Sequence, residues 1–379
     1  MYLHAGAELY GADIVLLELL KGLNKEKIKP YVVLPCEGEL VDLLKQNNIY
    51  VEVIKYPILR RKYFNPIGII KYIMDYIKYS RYLTQIVKKY EIDIIHINTA
   101  AVLEGIYIKR KLKPKLIWHI HEIIVNPKFI HKFLSFLIAK NSDQVITVSE
   151  SVKEHLNSTG YFRNNNIKVI YNGVDNRVFN KYNETDYLRK EFNIPKSAIV
   201  VGMIGRVNAW KGQIDFLNAM EIVLKQNENI YAILVGGVFE GEEWRIDEIR
   251  NKINHMENKE RVIFSDYRKD ISNLHSLYDV FVLPSTNPDP LPTVVLEAMA
   301  SSTPIVGYRH GGICEMVKEN YNGLLCDVND PIDLANNILE LLENKELKDS
   351  FSKNSLIRQK EMFSLQSYVN NFEKLYFEN

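Results

Sequence analysis

Short apolar runs alternate with amphipathic stretches from one end of the chain to the other. The runs lie at residues 31–35, 50–54, 92–97, 116–120, 145–148, 169–171, 199–204, 231–235, 262–264, 280–283, 305–306 and 324–325. Continuous apolar runs are typical of parallel strands that are buried on both faces. Helical patterns lie between them, for example at residues 14–23, 216–224 and 334–342.

This alternation predicts an α/β protein that is built from βαβ units with doubly wound parallel sheets. The runs are too many for one sheet of ordinary width, so we expect two Rossmann-like domains. We place the first at residues 1–180 and the second at 181–363, on either side of a polar segment that follows the Asn172-Gly173 turn. Residues 364–379 are predicted to form a final helix, which either caps the second domain or crosses back to the first.

The beginning of the chain departs from the usual pattern. A doubly wound domain normally opens with a full strand that leads into a glycine-containing turn. Here residues 1–4 leave room only for the end of such a strand before the turn at residues 5–11. Either the first strand is short, or the true start lies upstream of Met1, or the sequence is truncated.

Composition places the chain among ordinary globular proteins, with 46% hydrophobic and 25% charged residues. Its three cysteines are far apart, which argues against a disulfide framework or a cysteine-based zinc site and fits a reducing compartment. No stretch approaches the ~20 apolar residues of a membrane span, and the first residues do not form a signal peptide. We therefore expect a cytoplasmic protein.

The net charge of +1 hides an asymmetry between the two halves. Residues 1–175 contain 25 Lys and Arg against 17 Asp and Glu, whereas the rest of the chain contains 23 against 30. Such a split suggests that the first half meets an anionic surface. Compositional drift in a Lys- and Ile-rich genome would produce the same split.

Residues 55–90 concentrate this charge, with nine Lys and Arg, one Asp and several tyrosines around apolar positions at helical spacing. A basic amphipathic helix can lie on an anionic membrane surface, which would place the protein at the inner face of the cell membrane. The alternative is a domain helix that packs on its sheet and leaves its lysines in solvent. No nucleic-acid recognition motif accompanies the charge, so we expect no nucleic-acid partner.

Candidate chemistry begins with the segment Gly205-Arg206-Val-Asn-Ala-Trp-Lys211-Gly212, which follows an apolar run and precedes a helical pattern. Gly205 permits a tight turn, and Arg206 and Lys211 project from it. An Arg fork and a Lys point charge are both phosphate ligands, so this turn is a candidate diphosphate site. Taken alone the motif is weak, since any loop can carry exposed cations.

A second segment supplies carboxylates at Asp289-Pro-Leu-Pro-Thr293-Val294-Val-Leu-Glu297. It follows the run at 280–283, and Thr293 opens a helix whose first amides point outward. A helix N-terminus at the carboxyl end of a parallel strand is the usual place for an anionic ligand. Glu297 could be a solvated helix residue, but its apolar neighbours leave this helix little solvent face.

Together these motifs resemble the family 4 retaining glycosyltransferases of the GT-B fold, in which two Rossmann-like domains flank a cleft. The family carries two glutamates eight positions apart, and this chain has Asp289 in place of the first and Glu297 as the second. Further matching motifs are Val145-Ile-Thr-Val-Ser149, Tyr171-Asn-Gly-Val-Asp175, Asp279-Val-Phe-Val-Leu-Pro-Ser285, Arg309-His-Gly-Gly312 and Asn322-Gly-Leu-Leu. They occur in family order over most of the chain, and the first domain resembles the family more loosely.

The resemblance implies a role for each matching residue in binding a nucleotide-diphosphate sugar. Arg206 and Lys211 would hold the diphosphate, Glu297 the nucleotide ribose and Asp289 the hydroxyls of the transferred sugar. The amides of Thr293 and Val294 would contact the phosphate. Because Asp is one methylene shorter than Glu, position 289 is where sugar choice would shift.

The resemblance also implies two sites in the first domain. Gly11 would let the donor phosphate approach the backbone, although the short first strand puts this loop in doubt. His121, in Trp118-His-Ile-His-Glu122, matches a family histidine near the bond that breaks; without the family it would be a core residue at a strand end. His119 points the same way from the strand and is the reserve candidate.

The chain contains no Asp-x-Asp triplet, so we expect no metal and no other cofactor, with the two cations neutralising the leaving diphosphate. The resemblance implies retention of anomeric configuration. No carboxylate is identifiable as a covalent nucleophile, which favours a same-face displacement. The leading hypothesis is transfer of one sugar to a glycan, expected to be lipid-linked, for a capsule or other surface polysaccharide. The alternatives are a sugar-nucleotide 2-epimerase on the same fold and a binding subunit without catalysis.

Overall fold

The computed structural model describes residues 1–162 and 167–378. The strands are β1 (Tyr2–Leu3), β2 (Tyr31–Leu34), β3 (Tyr50–Val53), β4 (Ile94–Ile97), β5 (Lys115–Ile120), β6 (Gln144–Thr147), β7 (Ile167–Val169), β8 (Ile199–Ile204), β9 (Ile230–Val235), β10 (Val262–Ser265), β11 (Val280–Leu283), β12 (Ile305–Tyr308) and β13 (Gly323–Cys326). The helices are α1 (Gly11–Gly22), α2 (Glu39–Gln46), α3 (Pro66–Lys89), α4 (Glu104–Leu112), α5 (Lys128–Asn141), α6 (Glu150–Asn157), α7 (Asp186–Glu191), α8 (Gln213–Gln226), α9 (Trp244–His255), α10 (Ile271–Leu277), α11 (Thr293–Ala300), α12 (Ile313–Met316), α13 (Pro331–Glu343), α14 (Lys345–Met362) and α15 (Leu365–Phe377).

The N-terminal unit comprises Met1–Asn172 and the chain from Leu365 onward. Its described residues form a parallel sheet of seven strands in the order β3-β2-β1-β4-β5-β6-β7. The short β1 pairs with β2 on one side and with β4 on the other, so two residues occupy the centre of the sheet. On one face α15 packs against α1, where Phe372 and leucines of α1 share a single apolar core.

The C-terminal unit, Gly173–Ser364, is described throughout and holds a parallel sheet of six strands in the order β10-β9-β8-β11-β12-β13. Its core is formed by the apolar strands and by the buried faces of α8 and α13. The prediction of two doubly wound α/β sheets is therefore confirmed.

Short polar signals set several helix starts. Asn65 accepts a hydrogen bond from the amide of Gly68 at 2.8 Å, and Pro66 then opens α3. Ser149 caps α6 in the same way, and Asp330 followed by Pro331 opens α13. A side-chain acceptor satisfies an amide that has no helical partner, and proline at the first helical position needs none.

One strand is displaced from its predicted position. The pattern predicts a strand at residues 169–171, but β7 covers Ile167–Val169. Exposed Lys168 interrupts the apolar pattern, because β7 is an edge strand with one neighbour and one solvated side.

Candidate functional site

The order of each sheet reverses at one place, where the crossovers begin to run in the opposite direction. In the C-terminal unit this switch point lies between β8 and β11, and in the N-terminal unit it lies between β1 and β4. Loops beyond the carboxyl ends of the strands at such a point form the usual ligand crevice of an open α/β sheet. The segments 205–212 and 284–292 are those loops in the C-terminal unit.

The two loops are held together by backbone contacts. The amide of Thr286 donates a hydrogen bond to the carbonyl of Trp210 at 2.7 Å. Gly212 has a φ of 79°, and a Cβ at this residue would lie 1.9 Å from the carbonyl oxygen of Pro284. Only glycine fits there, so the second glycine of the turn is required for the two loops to meet.

The turn that carries the two cations is fixed by side chains of its own segment. The Asn208 carboxamide oxygen accepts hydrogen bonds from the amides of Trp210 and Lys211 at 3.0 and 2.9 Å. Gln213 donates from Nε2 to the carbonyl of Arg206 at 2.9 Å. The loop is thus ordered by its own polar residues, as a preformed binding turn requires.

Arg206 stacks on an aromatic ring that the sequence did not single out. Its guanidinium carbon lies 3.9 Å from the ring centre of Phe239, in the loop after β9. A cation over a ring face is stabilised by the ring quadrupole, and the planar guanidinium keeps its edge available for hydrogen bonds. Phe239 therefore fixes the plane in which Arg206 can present its fork.

Lys211 and Asp289 form an ion pair within the candidate site. The ammonium contacts Asp289 Oδ2, and both side chains are largely buried, at 13% and 10% exposure. The ammonium also lies 4.8 Å from the ring centre of Trp210. The predicted phosphate ligand and the predicted sugar ligand are therefore adjacent.

The backbone of Asp289 is fixed by the glycines of the Arg309-His-Gly-Gly312 motif. The amide of Gly312 donates to the carbonyl of Asp289 at 2.7 Å, and Gly311 has a φ of 68°. A Cβ at Gly311 would lie 2.6 Å from the Asp289 carbonyl oxygen, and one at Gly312 would lie 2.1 Å from the Pro290 carbonyl oxygen. The motif thus supports the loop that presents Asp289.

Thr293 and Val294 begin α11 directly after Pro292, and both are half-buried. The first amides of a helix have no carbonyl of their own helix to bind, and they carry the positive end of its dipole. This geometry suits a phosphate oxygen.

Glu297 lies one turn further along α11 and is buried beside a histidine. Its Oε2 atom is 3.2 Å from Nε2 of His275, a fully buried residue of α10. The sequence missed His275 because no local motif distinguishes it from an ordinary core residue of a short helix. Its partner comes from another helix, and only the fold brings them together.

Gly11 and His121 belong to the N-terminal unit. Gly11 is exposed and opens α1, whose first turn is capped by Asp13: Asp13 Oδ2 accepts from the amide of Tyr10 at 2.9 Å. His121 follows β5, and its Nε2 lies 3.0 Å from Asn98 Oδ1 and 3.2 Å from His119 Nδ1. Burial, with a smaller contribution from His4, lowers the pKa of His121 to about 3, so its ring is neutral at physiological pH.

His119 is completely buried, and its ring lies 5.0 Å from that of Phe372 in α15. Burial is the main cause that holds the pKa of His119 well below its ordinary value. The two histidines do face the same way, as the spacing along the strand predicts, but His119 is the inner member of the pair.

Two family models match the chain. The model described as Glycosyltransferase Family 4 matches residues 10–177, and the model described as Glycosyl transferases group 1 matches residues 184–358.

Individual relatives match over most of the chain. The UDP-Gal:alpha-D-GlcNAc-diphosphoundecaprenol alpha-1,3-galactosyltransferase of Escherichia coli is 26% identical over 97% of this chain and 96% of its own. The N-acetyl-alpha-D-glucosaminyl L-malate synthase of Bacillus anthracis is 27% identical over 78% and 77%. Among solved structures, HepE from Anabaena in complex with UDP and glucose superposes with a TM-score of 0.84 at 25% identity, covering 100% of this chain and 99% of HepE.

Proposed function

Because the chain belongs to the family 4 glycosyltransferases and has the GT-B fold, we propose that it transfers one sugar from a nucleotide-diphosphate sugar to a glycan hydroxyl. The family and the fold predicted from the motifs are both confirmed. In the proposed reaction the anomeric configuration is retained, and the acceptor is a lipid-linked glycan of surface polysaccharide synthesis. A uridine nucleotide is the first donor to test, since HepE was solved with UDP and the E. coli relative acts on UDP-galactose.

The observation that carries the proposal is the group formed by Arg206, Lys211, Asp289 and the start of α11, at the switch point of one sheet. When the bond between sugar and phosphate breaks, negative charge grows on the diphosphate and positive charge grows at the anomeric carbon. Fixed cations and helix amides stabilise the first, and a carboxylate beside the sugar suits the second. Glu297, held by His275, would bind the ribose hydroxyls.

In the proposed step, the acceptor oxygen bonds to the anomeric carbon on the face from which the diphosphate leaves. The carbon–oxygen bond to phosphate breaks, and the departing phosphate oxygen takes the acceptor proton. Atoms and charges balance without a covalent enzyme intermediate. His121 would contact the sugar as a neutral ring.

The first experiment screens UDP-, GDP- and ADP-sugars by thermal shift, because a ligand that binds the folded state raises the melting temperature. Transfer of the identified sugar to a lipid-linked acceptor is then followed, and the anomeric proton of the product is read by NMR. Arg206→Ala and Glu297→Ala should each reduce transfer by about 100-fold, whereas Arg250→Ala on exposed α9 should not change it.

Three outcomes would contradict the proposal. Release of an altered sugar nucleotide without acceptor would indicate a 2-epimerase. Binding of the donor with neither transfer of its sugar nor slow hydrolysis of the donor would indicate a non-catalytic subunit. An inverted product would exclude retention.

We expect transfer to proceed without a divalent metal, because Lys211 and Arg206 are the two cations proposed to neutralise the charge that develops on the diphosphate. Turnover should be unchanged after EDTA treatment and after addition of Mg²⁺ or Mn²⁺. A requirement for either ion would contradict this part of the proposal.

We further propose that the N-terminal unit lies on the anionic inner surface of the cell membrane. The predicted amphipathic face of α3 divides into two parts. Leu83, Ile86 and Val87 pack into the unit, whereas most apolar side chains of the first half are exposed and Tyr72 is its buried residue. The exposed apolar residues of that half are Ile67, Ile69, Ile70, Ile73, Met74 and Ile77. Lys71, Lys78 and Arg81 lie among or beside them and are exposed.

A second exposed face, on α5, supports the same proposal and was missed by the sequence reasoning. Phe129, Phe133 and Phe136 are exposed there, and the helix carries three exposed lysines and no carboxylate. The crossovers β3–α3–β4 and β5–α5–β6 run in the same direction along the sheet, so right-handed connections place both helices on one face. In the described part of the chain, no helix combines the length and apolarity needed to cross a bilayer.

Sedimentation with vesicles tests this surface. The protein should bind vesicles that contain phosphatidylglycerol, bind less at high salt, and not bind pure phosphatidylcholine. Ile70→Ser and Phe133→Ser should each weaken binding, whereas Ile332→Ser, at an equally exposed position of the C-terminal unit, should not. Equal binding by all three variants would overturn the surface assignment.

A further inference from the structure

A chain of polar contacts connects residues that directly follow three central strands of the N-terminal unit with a residue of α1. Nε2 of His4 lies 2.7 Å from Oδ1 of Asp13, and Nδ1 of His4 lies 3.1 Å from Nδ2 of Asn98. On its other side, Oδ1 of Asn98 lies 3.0 Å from Nε2 of His121. His4, Asp13 and Asn98 are buried, so water does not compete for these contacts.

Only one assignment of hydrogens satisfies the amide of Asn98 as it is oriented. Its Nδ2 group donates to Nδ1 of His4, which leaves the hydrogen of His4 on Nε2, where Asp13 accepts it. Its Oδ1 atom is an acceptor, so Nε2 of His121 must carry the hydrogen. Each donor along the chain then faces an acceptor.

His119 reinforces the same direction. Its Nδ1 atom lies 3.2 Å from Nε2 of His121 and can accept from the hydrogen there. With the acceptor Oδ1 of Asn98 against Nε2, the neutral ring of His121 has its lone pair on Nδ1.

From this geometry we propose that Asn98 is a positioning residue that holds His121 in the Nε2–H tautomer and leaves Nδ1 as the acceptor for a hydroxyl of the sugar substrate. The inference rests on the proposed function only in the use that it gives to Nδ1. His4 and Asp13 act one step further back, because they hold the amide of Asn98 in the orientation that His121 needs.

In a competing arrangement, the amide of Asn98 is turned and its contact with His121 is reversed. If His4 carried hydrogens on both nitrogens, Nδ1 could donate to the Asn98 backbone carbonyl, 3.3 Å away, and the amide would turn. Nδ2 of Asn98 would then face His121, whose hydrogen would move to Nδ1. The two arrangements therefore differ in the tautomer of His121, which decides between them.

NMR of the full-length protein labelled with ¹⁵N-histidine measures this directly, because ring nitrogens with and without hydrogen have well-separated shifts. His121→Gln identifies the His121 signals by their loss. We expect the Nε2–H form, without titration between pH 5 and 8. Signals of the Nδ1–H form would overturn the proposal, even if no variant of Asn98 folds.

Two variants test whether Asn98 causes this state. Asn98→Leu keeps the size but removes the acceptor, so we expect a mixture of tautomers and a decrease in kcat of about 10- to 100-fold, with little change in donor KM. Asn98→Asp restores an acceptor, and it should restore the Nε2–H form and most of the activity. Asn157→Leu on α6 controls for the loss of a partly buried amide and should change neither.

Wild-type signals and wild-type kcat in Asn98→Leu would refute the role of Asn98. Failure of the proposed function would have a different signature: the wild type would show no transfer with any donor tested, while Asn98→Leu still changed the tautomer of His121.

Discussion

His275 places its Nε2 atom 3.2 Å from Oε2 of Glu297, in a contact that joins α10 to α11 and is almost closed to solvent. A buried carboxylate needs a donor, and His275 supplies one from a ring that also packs 5.2 Å from Phe281. The residue that is proposed to hold the ribose is thus in contact with a histidine that is fully closed to solvent.

We expect His275→Phe to lower donor affinity by about tenfold and to reduce the free energy of unfolding by about 1–3 kcal/mol, because Glu297 loses its buried donor. Calorimetric titration with the donor and urea unfolding measure the two effects. His275→Gln keeps an N–H donor and should recover most of the affinity. Equal affinity in all three proteins would show that His275 does not orient Glu297.

For the Lys211–Asp289 pair, we predict that one substitution strengthens the binding of UDP and slows the transfer reaction. Asp289→Asn removes a negative charge beside the proposed diphosphate site, so UDP alone should bind about fivefold more tightly. Transfer should nevertheless be slower, because the carboxylate is proposed to contact the sugar. Titration calorimetry gives the first quantity and steady-state kinetics gives the second.

Glu319→Gln is the matched control, since Glu319 pairs with Arg309 in an exposed ion pair of the same unit. It should alter neither quantity. Weaker UDP binding by Asp289→Asn would mean that Lys211 does not act on the phosphates.

Phe239→Leu should remove the ring that holds the guanidinium of Arg206 in one plane, without removing the charge of Arg206. A ring–cation contact at a partly exposed site contributes about 0.5–1 kcal/mol, so we expect donor KM to rise about two- to fivefold. Tyr267→Leu removes another exposed aromatic ring from the same unit and should leave KM unchanged. A wild-type KM in Phe239→Leu would indicate that Arg206 needs no such support.

Glu104 makes the stability of the N-terminal unit depend on pH. It is fully buried at the start of α4, and its Oε1 atom has no hydrogen-bond partner among the described residues. Burial raises the pKa of Glu104 to about 8, so the folded state holds a proton that the unfolded state releases near pH 4.5. Unfolding therefore becomes easier as the pH rises between these values.

Glu104→Gln removes this dependence. Between pH 5 and 8 the wild type should lose stability on the order of 3 kcal/mol relative to the variant, as measured by urea unfolding. Glu248→Gln, on α9, should follow the wild type. Parallel pH profiles for wild type and Glu104→Gln would mean that Glu104 ionises normally.

The sequence was sufficient to predict structural features that depend on residues close together along the chain. Buried parallel strands need continuous apolar runs, so β8 and β11 could be located from the apolar pattern alone, and the positions of the loops after them followed. The predicted position of β7 was two residues too late, because a single lysine on this edge strand interrupts the apolar run.

Features that depend on distant partners could not be predicted. Nothing near His275 indicates Glu297, and nothing near Phe239 indicates Arg206, because these contacts exist only after the sheet has ordered its strands. The spacing along α3 was read correctly as amphipathic. It could not show that most aliphatic side chains in the first half of the helix remain exposed, while those in the second half are buried.

The glycines at 311 and 312 have a consequence for how sugar choice can change. They leave the main chain of Asp289 no space on that side, because a Cβ at either position would collide with the backbone at 289 or 290. A shift of the loop towards Gly311 and Gly312 is therefore closed as a route to new substrates. Sugar choice at this position must then change through the length and charge of the side chain at 289. Exchanging aspartate for glutamate there would lengthen the side chain by one methylene and leave the backbone of the loop where it is.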